Sequence, residues 1–194
     1  MSRTTELARR TGETDISGFL DLDGSGAATV KTGLPFLDHM MTTLVKHSGL
    51  DLELDVVGDL DVDDHHTVED CAIVIGRGLS QALGERVGII RFGYAYAPLD
   101  ESLVRAVVDL SGRGWAEINL GFTREAIGAV ATENLTHFLT SLAIEARLAL
   151  HVDLIRGVNN HHIAEAGFKA VALALRTAVR ITGGEIPSTK GSLG

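Results

Sequence analysis

The sequence predicts an α+β fold built from a duplicated half-domain, with two sheets and with helices packed between or against them. Three observations carry this expectation. Alternating apolar segments of strand length interleave with amphipathic segments of helix length. The order strands, helix, strand, helix occurs twice along the chain. A His-His pair followed at the same step by glutamate also occurs twice, as His65-His66 with Glu69 and as His161-His162 with Glu165, 96 positions apart. The halves run over about residues 9–90 and 91–190 of a single domain covering 1–194. No proline-rich or linker-like run divides them.

The elements follow in order. "TDISGFLDLDGSGAATVKTG" reads as a hairpin, with Ile16, Leu20 and Leu22 on one face and Asp23-Gly24-Ser25-Gly26 as its turn. "PFLDHMMTTLVKHSG" reads as a helix, with Pro35 near its start and Gly49 past its end. In "LDLELDVV", Leu50, Leu52, Leu54 and Val56 point one way and Asp51, Glu53 and Asp55 the other, which describes a strand with one wet face. "DDHHTVEDCAIVIGRGLSQALG" reads as a helix capped by Asp64 and stopping near Gly84. In the second half, "FGYAYAPLDESLVRAVVDLSGRGWAEINL" supplies strands and "TENLTHFLTSLAIEARL" a helix capped by Thr132. "ALHVDLI" is a strand, and "NNHHIAEAGFKAVALALRTAVR" a long helix that is apolar nearly all round.

Composition narrows the function. Net charge is −9, against the cationic surface that nucleic-acid binding draws on. A phosphorylated small molecule stays compatible if cations cluster locally. No segment approaches the roughly 18–20 apolar residues of a membrane span. No apolar run follows Arg9 and Arg10, which argues against a secretory signal. Cys71 is the only cysteine, so no internal disulfide forms, and the expected setting is a reducing cytoplasm.

A lone His-His pair at a helix start is an ordinary solvated or capping feature. The duplication changes that reading. On a helix, Glu69 lies about 40° from His65 and about 60° from His66, so all three address one side while the imidazoles diverge enough to reach two ions. His161, His162 and Glu165 repeat the arrangement. The preceding helices each carry one more histidine, His39 and His137, placed 26 and 24 residues before their pairs. Both fall nearly opposite their helix's apolar stripe and so point away from their own core. Imidazole plus carboxylate without thiolate suits zinc, manganese, iron or nickel rather than a structural zinc site. "DLDVDDHHTVED" is no EF-hand, because Asp64 stands where glycine is needed and Asp70 where glutamate is needed. Cys71 reads as core, His47 as a helix C-terminal cation, and His151 as solvated. Arg91 and Arg113 sit beside glycines at strand edges, open either to surface charge or to anion binding. Ser188 and Lys190, in a flexible-looking tail, can hold a phosphate.

"FLDHM", "DDHHTVEDCAIVIGRGL", "NNHHIAEAGFKAVALALR" and "PSTKG" together resemble the imidazoleglycerol-phosphate dehydratase family, from about Arg9 to Lys190. The resemblance implies a duplicated fold of the kind named after domain 2 of ribosomal protein S5. It implies two manganese ions per active site and a cage of about 24 identical chains with sites where subunits meet. As metal ligands it implies His39, His65, His66, Glu69, His137, His161, His162 and Glu165. Glu13, His39 and Lys169 would contact substrate, and Arg91, Arg113, Ser188, Thr189 and Lys190 would bind its phosphate. Position 73, the first-half counterpart of Lys169, is isoleucine. The chain is too short for a fused phosphatase domain and reads as monofunctional.

The implied reaction dehydrates imidazole glycerol phosphate to imidazole acetol phosphate in histidine biosynthesis. The expected route takes a proton from the carbon next to the ring and expels the neighbouring hydroxyl. The metals stabilise an imidazolate-like diazafulvene intermediate. Glu13, Glu165 and Lys169 are the catalytic candidates, with one carboxylate as base. Two alternatives stand beside this reading: a two-metal hydrolase of a phosphoester or amide, and a metal-binding cage without catalysis.

Overall fold

The apolar–polar alternation is realised as two four-stranded sheets in the computed structural model, which describes residues 2–193. The first sheet has the spatial order β1 (Thr4–Arg10), β2 (Thr14–Asp21), β4 (Asp51–Gly58), β3 (Ala28–Lys31). The second has the order β5 (Phe92–Leu99), β6 (Ser102–Asp109), β10 (Ala149–Arg156), β7 (Trp115–Asn119). In each, the first three strands pair antiparallel and the fourth lies parallel to its neighbour. The fold is α+β, and the two sheets share one topology. A short hairpin, β8 (Ala126–Ile127) and β9 (Val130–Ala131), is added in the second half.

Four helices lie between the sheets: α1 (Pro35–Ser48), α2 (His65–Leu83), α3 (Thr132–Glu145) and α4 (Asn160–Ala178). The first sheet packs on α1 and α2, the second on α3 and α4. Across the middle, α1 packs on α4 and α2 on α3, so every helix pair joins the two halves. The paired helices run in the same direction. His39 meets Glu165 near the starts of α1 and α4, and Ser48 and Gly49 share a cavity with Arg176 and Val179 near their ends. His65 meets Asn134 at the starts of α2 and α3, and Arg77, in the second half of α2, meets Glu145 at the end of α3. This layering brings the N-terminal turns of partner helices together.

Burial explains the layering. Leu52, Leu54 and Val56 of β4 face the helices, as the alternation requires. Phe138 of α3 and Phe168 of α4 are fully buried, with ring centroids 5.6 Å apart. Replacing Phe138 by alanine is expected to cost about 3–5 kcal/mol, the range for deleting a buried aromatic ring. Urea unfolding measures this, and a loss below about 1 kcal/mol would show that the pair does not anchor the core. Asp70, at the close of "HHTVED", is also buried. Its carboxylate accepts from Arg9 of β1 at 2.8 Å and from the Thr14 hydroxyl of β2, docking α2 onto its sheet.

Several expectations need correction. β2 and β3 do not form a hairpin, because β4 lies between them. The Asp23–Gly26 segment instead wraps the Asp51 side chain, whose Oδ1 accepts the backbone N–H of Ser25 at 2.7 Å and of Ala27 at 2.8 Å. A Cβ on Gly24 would meet that carboxylate at 2.4 Å, which explains the glycine. β1 is a strand without alternation in its sequence, because Leu7 is its only buried residue. Gly49, with φ 79°, closes α1 as expected. Thr132 does not cap α3; its hydroxyl donates to the carbonyl of Arg124 at 2.6 Å.

Candidate metal centres

Both His-His pairs occupy the first turn of a helix, and local capping puts them there. At α2 Asp64 is the N-cap residue, as expected, but its side chain makes no capping hydrogen bond; Asp63 Oδ1 accepts the His65 backbone N–H at 2.8 Å instead. Asp64 is used elsewhere, accepting the Ala131 N–H at 2.8 Å and tying the start of α3 to the start of α2. At α4 the Asn159 side chain accepts the His161 N–H at 3.0 Å.

The structure gathers six of the eight expected ligands into two trios. His39, His161 and Glu165 form one, His65, Glu69 and His137 the other, and within each the ligand atoms lie within 4.8 Å of one another. His39 Nε2 is 3.1 Å and His161 Nε2 3.4 Å from Glu165 Oε2. His137 Nε2 is 2.8 Å from Glu69 Oε1, and its ring stacks on His65 with centroids 5.0 Å apart. Each trio crosses the halves: α1 with α4, and α3 with α2. Such reciprocity is what an internal two-fold relation produces. Two imidazoles and one carboxylate, with no thiolate, suit a borderline divalent cation and leave positions for further donors. His65 Nδ1 donates to Asn134 Oδ1 at 2.9 Å, leaving Nε2 with its lone pair.

His66 and His162 stand outside both trios. Their rings are nearly perpendicular to those of His65 and His161, at 79° and 87°. His66 Nδ1 donates to Asp59 Oδ2 at 3.0 Å, and its Nε2 is 3.6 Å from Glu13 Oε1. His162 Nδ1 donates to Glu101 Oε2 at 2.7 Å, and its Nε2 is 3.8 Å from Asp100 Oδ2. The hydrogen bond it donates to Asp59 holds the His66 imidazole above its usual pKa, and the one donated to Glu101 does the same for His162.

The trios differ in charge. Burial pushes the Glu165 carboxyl up, but hydrogen bonds from Lys169 and His39 outweigh it and bring it down to about 2. Lys169 Nζ lies 2.7 Å from Glu165 Oε1. At the other trio the matching position is Ile73, so Glu69 has no such cation. With the His39 side chain 48% exposed and that of His161 43% exposed, this trio opens to solvent in the single chain.

The expected phosphate group lies elsewhere. Arg91, in a left-handed conformation with φ 74°, binds Asp109 through Nε at 2.7 Å and Nη2 at 3.1 Å. Its Nη1 donates to the Pro187 carbonyl at 2.8 Å, fixing the tail just before Ser188, Thr189 and Lys190. The Lys190 N–H donates to Ser188 Oγ at 3.2 Å. Arg113 is exposed on the β6–β7 loop. The Arg91 N–H is bonded to the Ala178 carbonyl at the far end of α4. At 1.5 Å per residue, that is about 20 Å from Glu165 along the helix axis.

Sequence reasoning missed Asp59, Glu101, Asn134 and Asp109. The available signal was the repeat itself, which sets Glu101 in the second half at the place of Glu13 in the first.

Comparison with known proteins places the chain. A family model described as imidazoleglycerol-phosphate dehydratase matches residues 32–175. A relative of that name from Chlorobium luteolum is 52% identical over 191 residues, covering 98% of this chain and 96% of its own. Another from Phytophthora nicotianae is 54% identical over 98% of this chain, which spans only 42% of that longer relative. The crystal structure of imidazoleglycerol-phosphate dehydratase from Staphylococcus aureus shares the fold with a TM-score of 0.84 at 38% identity, covering 92% of this chain and 99% of its own. The chain therefore belongs to the imidazoleglycerol-phosphate dehydratase family of hydro-lyases.

Proposed function

We propose that the chain dehydrates imidazole glycerol phosphate to imidazole acetol phosphate, a step of histidine biosynthesis, with two divalent cations, manganese in the cell. The observation that carries this reading is the pair of reciprocal His/Glu trios, one of them holding Lys169 against its carboxylate. We also propose that the two halves make one domain and that it works as a homo-oligomer of about 24 chains with shared sites. Two features support sharing. His66 and His162 face away from their own trios. The Arg91 and tail group lies about 20 Å along α4 from Glu165, too far for a glycerol chain to span. A neighbouring copy must therefore supply one group or the other. A cytoplasmic setting fits the lone, buried Cys71. No helix among the described residues is long and apolar enough to cross a membrane.

Atom balance exchanges the two carbons expected to lose the proton and the hydroxyl. The product ketone retains the oxygen of the middle carbon, so the hydroxyl that leaves is the one on the ring-bearing carbon. The C–H proton comes from the middle carbon. The resulting enol becomes the ketone by taking a proton at the ring-bearing carbon and giving up its O–H proton. Divalent cations held by the trios would supply Lewis acidity at the ring nitrogens; the ring's electrons help to expel the hydroxyl, and the ring then takes up the pair left by the middle-carbon C–H.

The chain's own groups divide the remaining work. Glu165 stays ionised and held by Lys169, so its task is ligation. Lys169 limits the negative charge there and offers a donor to the substrate. Glu13, with its side chain 53% exposed beside His66, is free to take and return the proton. Arg91, Arg113, Ser188, Thr189 and Lys190 hold the phosphate. The Asp109 carboxylate keeps the Arg91 fork in place and leaves it partly committed. Glu13→Gln is expected to lower kcat about 10²–10⁴-fold with two cations still bound. Unchanged turnover would remove Glu13 from proton transfer.

The experiment that tests the function supplies the manganese-loaded protein with imidazole glycerol phosphate and follows ketone and inorganic phosphate. Ketone without phosphate release is expected. Phosphate release would favour a two-metal hydrolase, and neither product would leave a metal-binding cage.

A further inference from the structure

The loops before β2 and β6 have one length, because Arg10 pairs with Asp15 across the first and Pro98 with Leu103 across the second. Glu13 and Glu101 thus occupy one position of the repeat, yet they meet their histidines differently. Glu13 lies 3.6 Å from Nε2 of His66, whose Nδ1 is already held by Asp59. Glu101 itself accepts the Nδ1 proton of His162 at 2.7 Å.

The register explains the difference. β2 meets β4 up to Thr14 opposite Gly58. The matching β6–β10 pairing ends with Leu103 opposite Arg156, after an irregularity between Leu154 and Arg156. Gly157 therefore matches Gly58, and a Cβ on either would run into the residue that follows a His-His pair, Thr67 at 2.1 Å in one half and Ile163 at 3.0 Å, behind Ser102, in the other. The residue after Gly58 is Asp59, and the residue after Gly157 is Val158. Val158 is 80% exposed, and its side chain has no acceptor to offer an imidazole.

We propose that Glu101 is the positioning residue that presents His162 to a cation, replacing the carboxylate that Val158 cannot supply, while Asp59 leaves Glu13 free for substrate. This rests on reading His162 as a ligand. A carboxylate only accepts hydrogen bonds, so Nδ1 carries the proton and Nε2 keeps its lone pair for metal. The other oxygen, Oε1, accepts from the Asn159 N–H at 2.9 Å, the Val158 N–H at 3.3 Å and the Ser102 hydroxyl at 3.0 Å. In Glu101→Gln the amide oxygen must stay with those three donors. Its NH₂ then faces His162, and Nδ1 must accept, which puts the proton on Nε2. Glutamine keeps the tie to the start of α4 and selects the wrong tautomer.

The test is calorimetric titration of the assembled, metal-stripped protein with manganese. It compares wild type, Glu101→Gln, Glu101→Ala, the double variant Glu101→Ala/Val158→Asp, and His162→Ala. Glu101→Gln is expected to weaken one class of sites about 10–100-fold without moving the melting temperature of the metal-free protein. The double variant is expected to bind more tightly than Glu101→Ala, because the aspartate introduced by Val158→Asp returns a carboxylate to His162. Wild-type affinity in Glu101→Gln, or no gain in the double variant, overturns the proposal. His162→Ala separates the two ideas. If it binds like wild type, the ligand reading of His162 falls. If it binds weakly while Glu101→Gln binds normally, the role of Glu101 alone falls.

Discussion

Chelation of divalent cations is expected to abolish dehydration, lowering turnover about a thousandfold or more, and manganese is expected to restore it. The size follows from the chemistry. The proton removed is a barely acidic C–H, and without an electron sink the negative charge has nowhere to go. A thousandfold corresponds to about 4 kcal/mol of transition-state stabilisation, within what Lewis-acid catalysis supplies. The proposed donors are those of the trios, where Glu165 is already ionised and His65 already presents a free Nε2. Turnover should track cation content through dialysis and reloading. Full activity in protein shown to contain no divalent metal would refute the role given to both trios.

Glu165→Ala is expected to be the most damaging single substitution, with a loss of about 10³-fold or more in kcat/KM. It removes the carboxylate that joins His39 and His161, and it strands Lys169, whose ammonium now sits 2.7 Å from that carboxylate. Metal analysis should fall from two ions per chain to one. Glu69→Ala should also remove one ion, but it leaves the Lys169–Glu165 pair intact and meets only Ile73 at the corresponding place. The two variants therefore lose the same metal count and differ in substrate affinity, with KM raised further in Glu165→Ala. Two ions per chain retained in Glu165→Ala would show that the trio is not a site.

The helices and the ligand types were legible because they are local properties. Proline at position 35 and glycine at 49 bound α1, and the stripe of α3 leaves His137 on its polar side whatever lies opposite. The crossing of the trios was not legible. Periodicity says which face of a helix is apolar, but not which helix from the other half will cover it. The hairpin was misread for a similar reason. β2 has two edges, and the local turn signal gave no sign that β4 would occupy one of them. β1 carries a single buried side chain, Leu7, too little to show alternation. Asp59 and Glu101 sit in acidic loops whose charge reads as solvation until the histidine rings they face are in view.

The central claim is that each trio, assembled from both halves, holds one divalent cation. Anomalous scattering from crystals of the assembled protein grown with manganese tests it directly. Two peaks per chain are expected, one among His39, His161 and Glu165 and one among His65, Glu69 and His137. Peaks elsewhere, or none at these six side chains in manganese-saturated crystals, would contradict it.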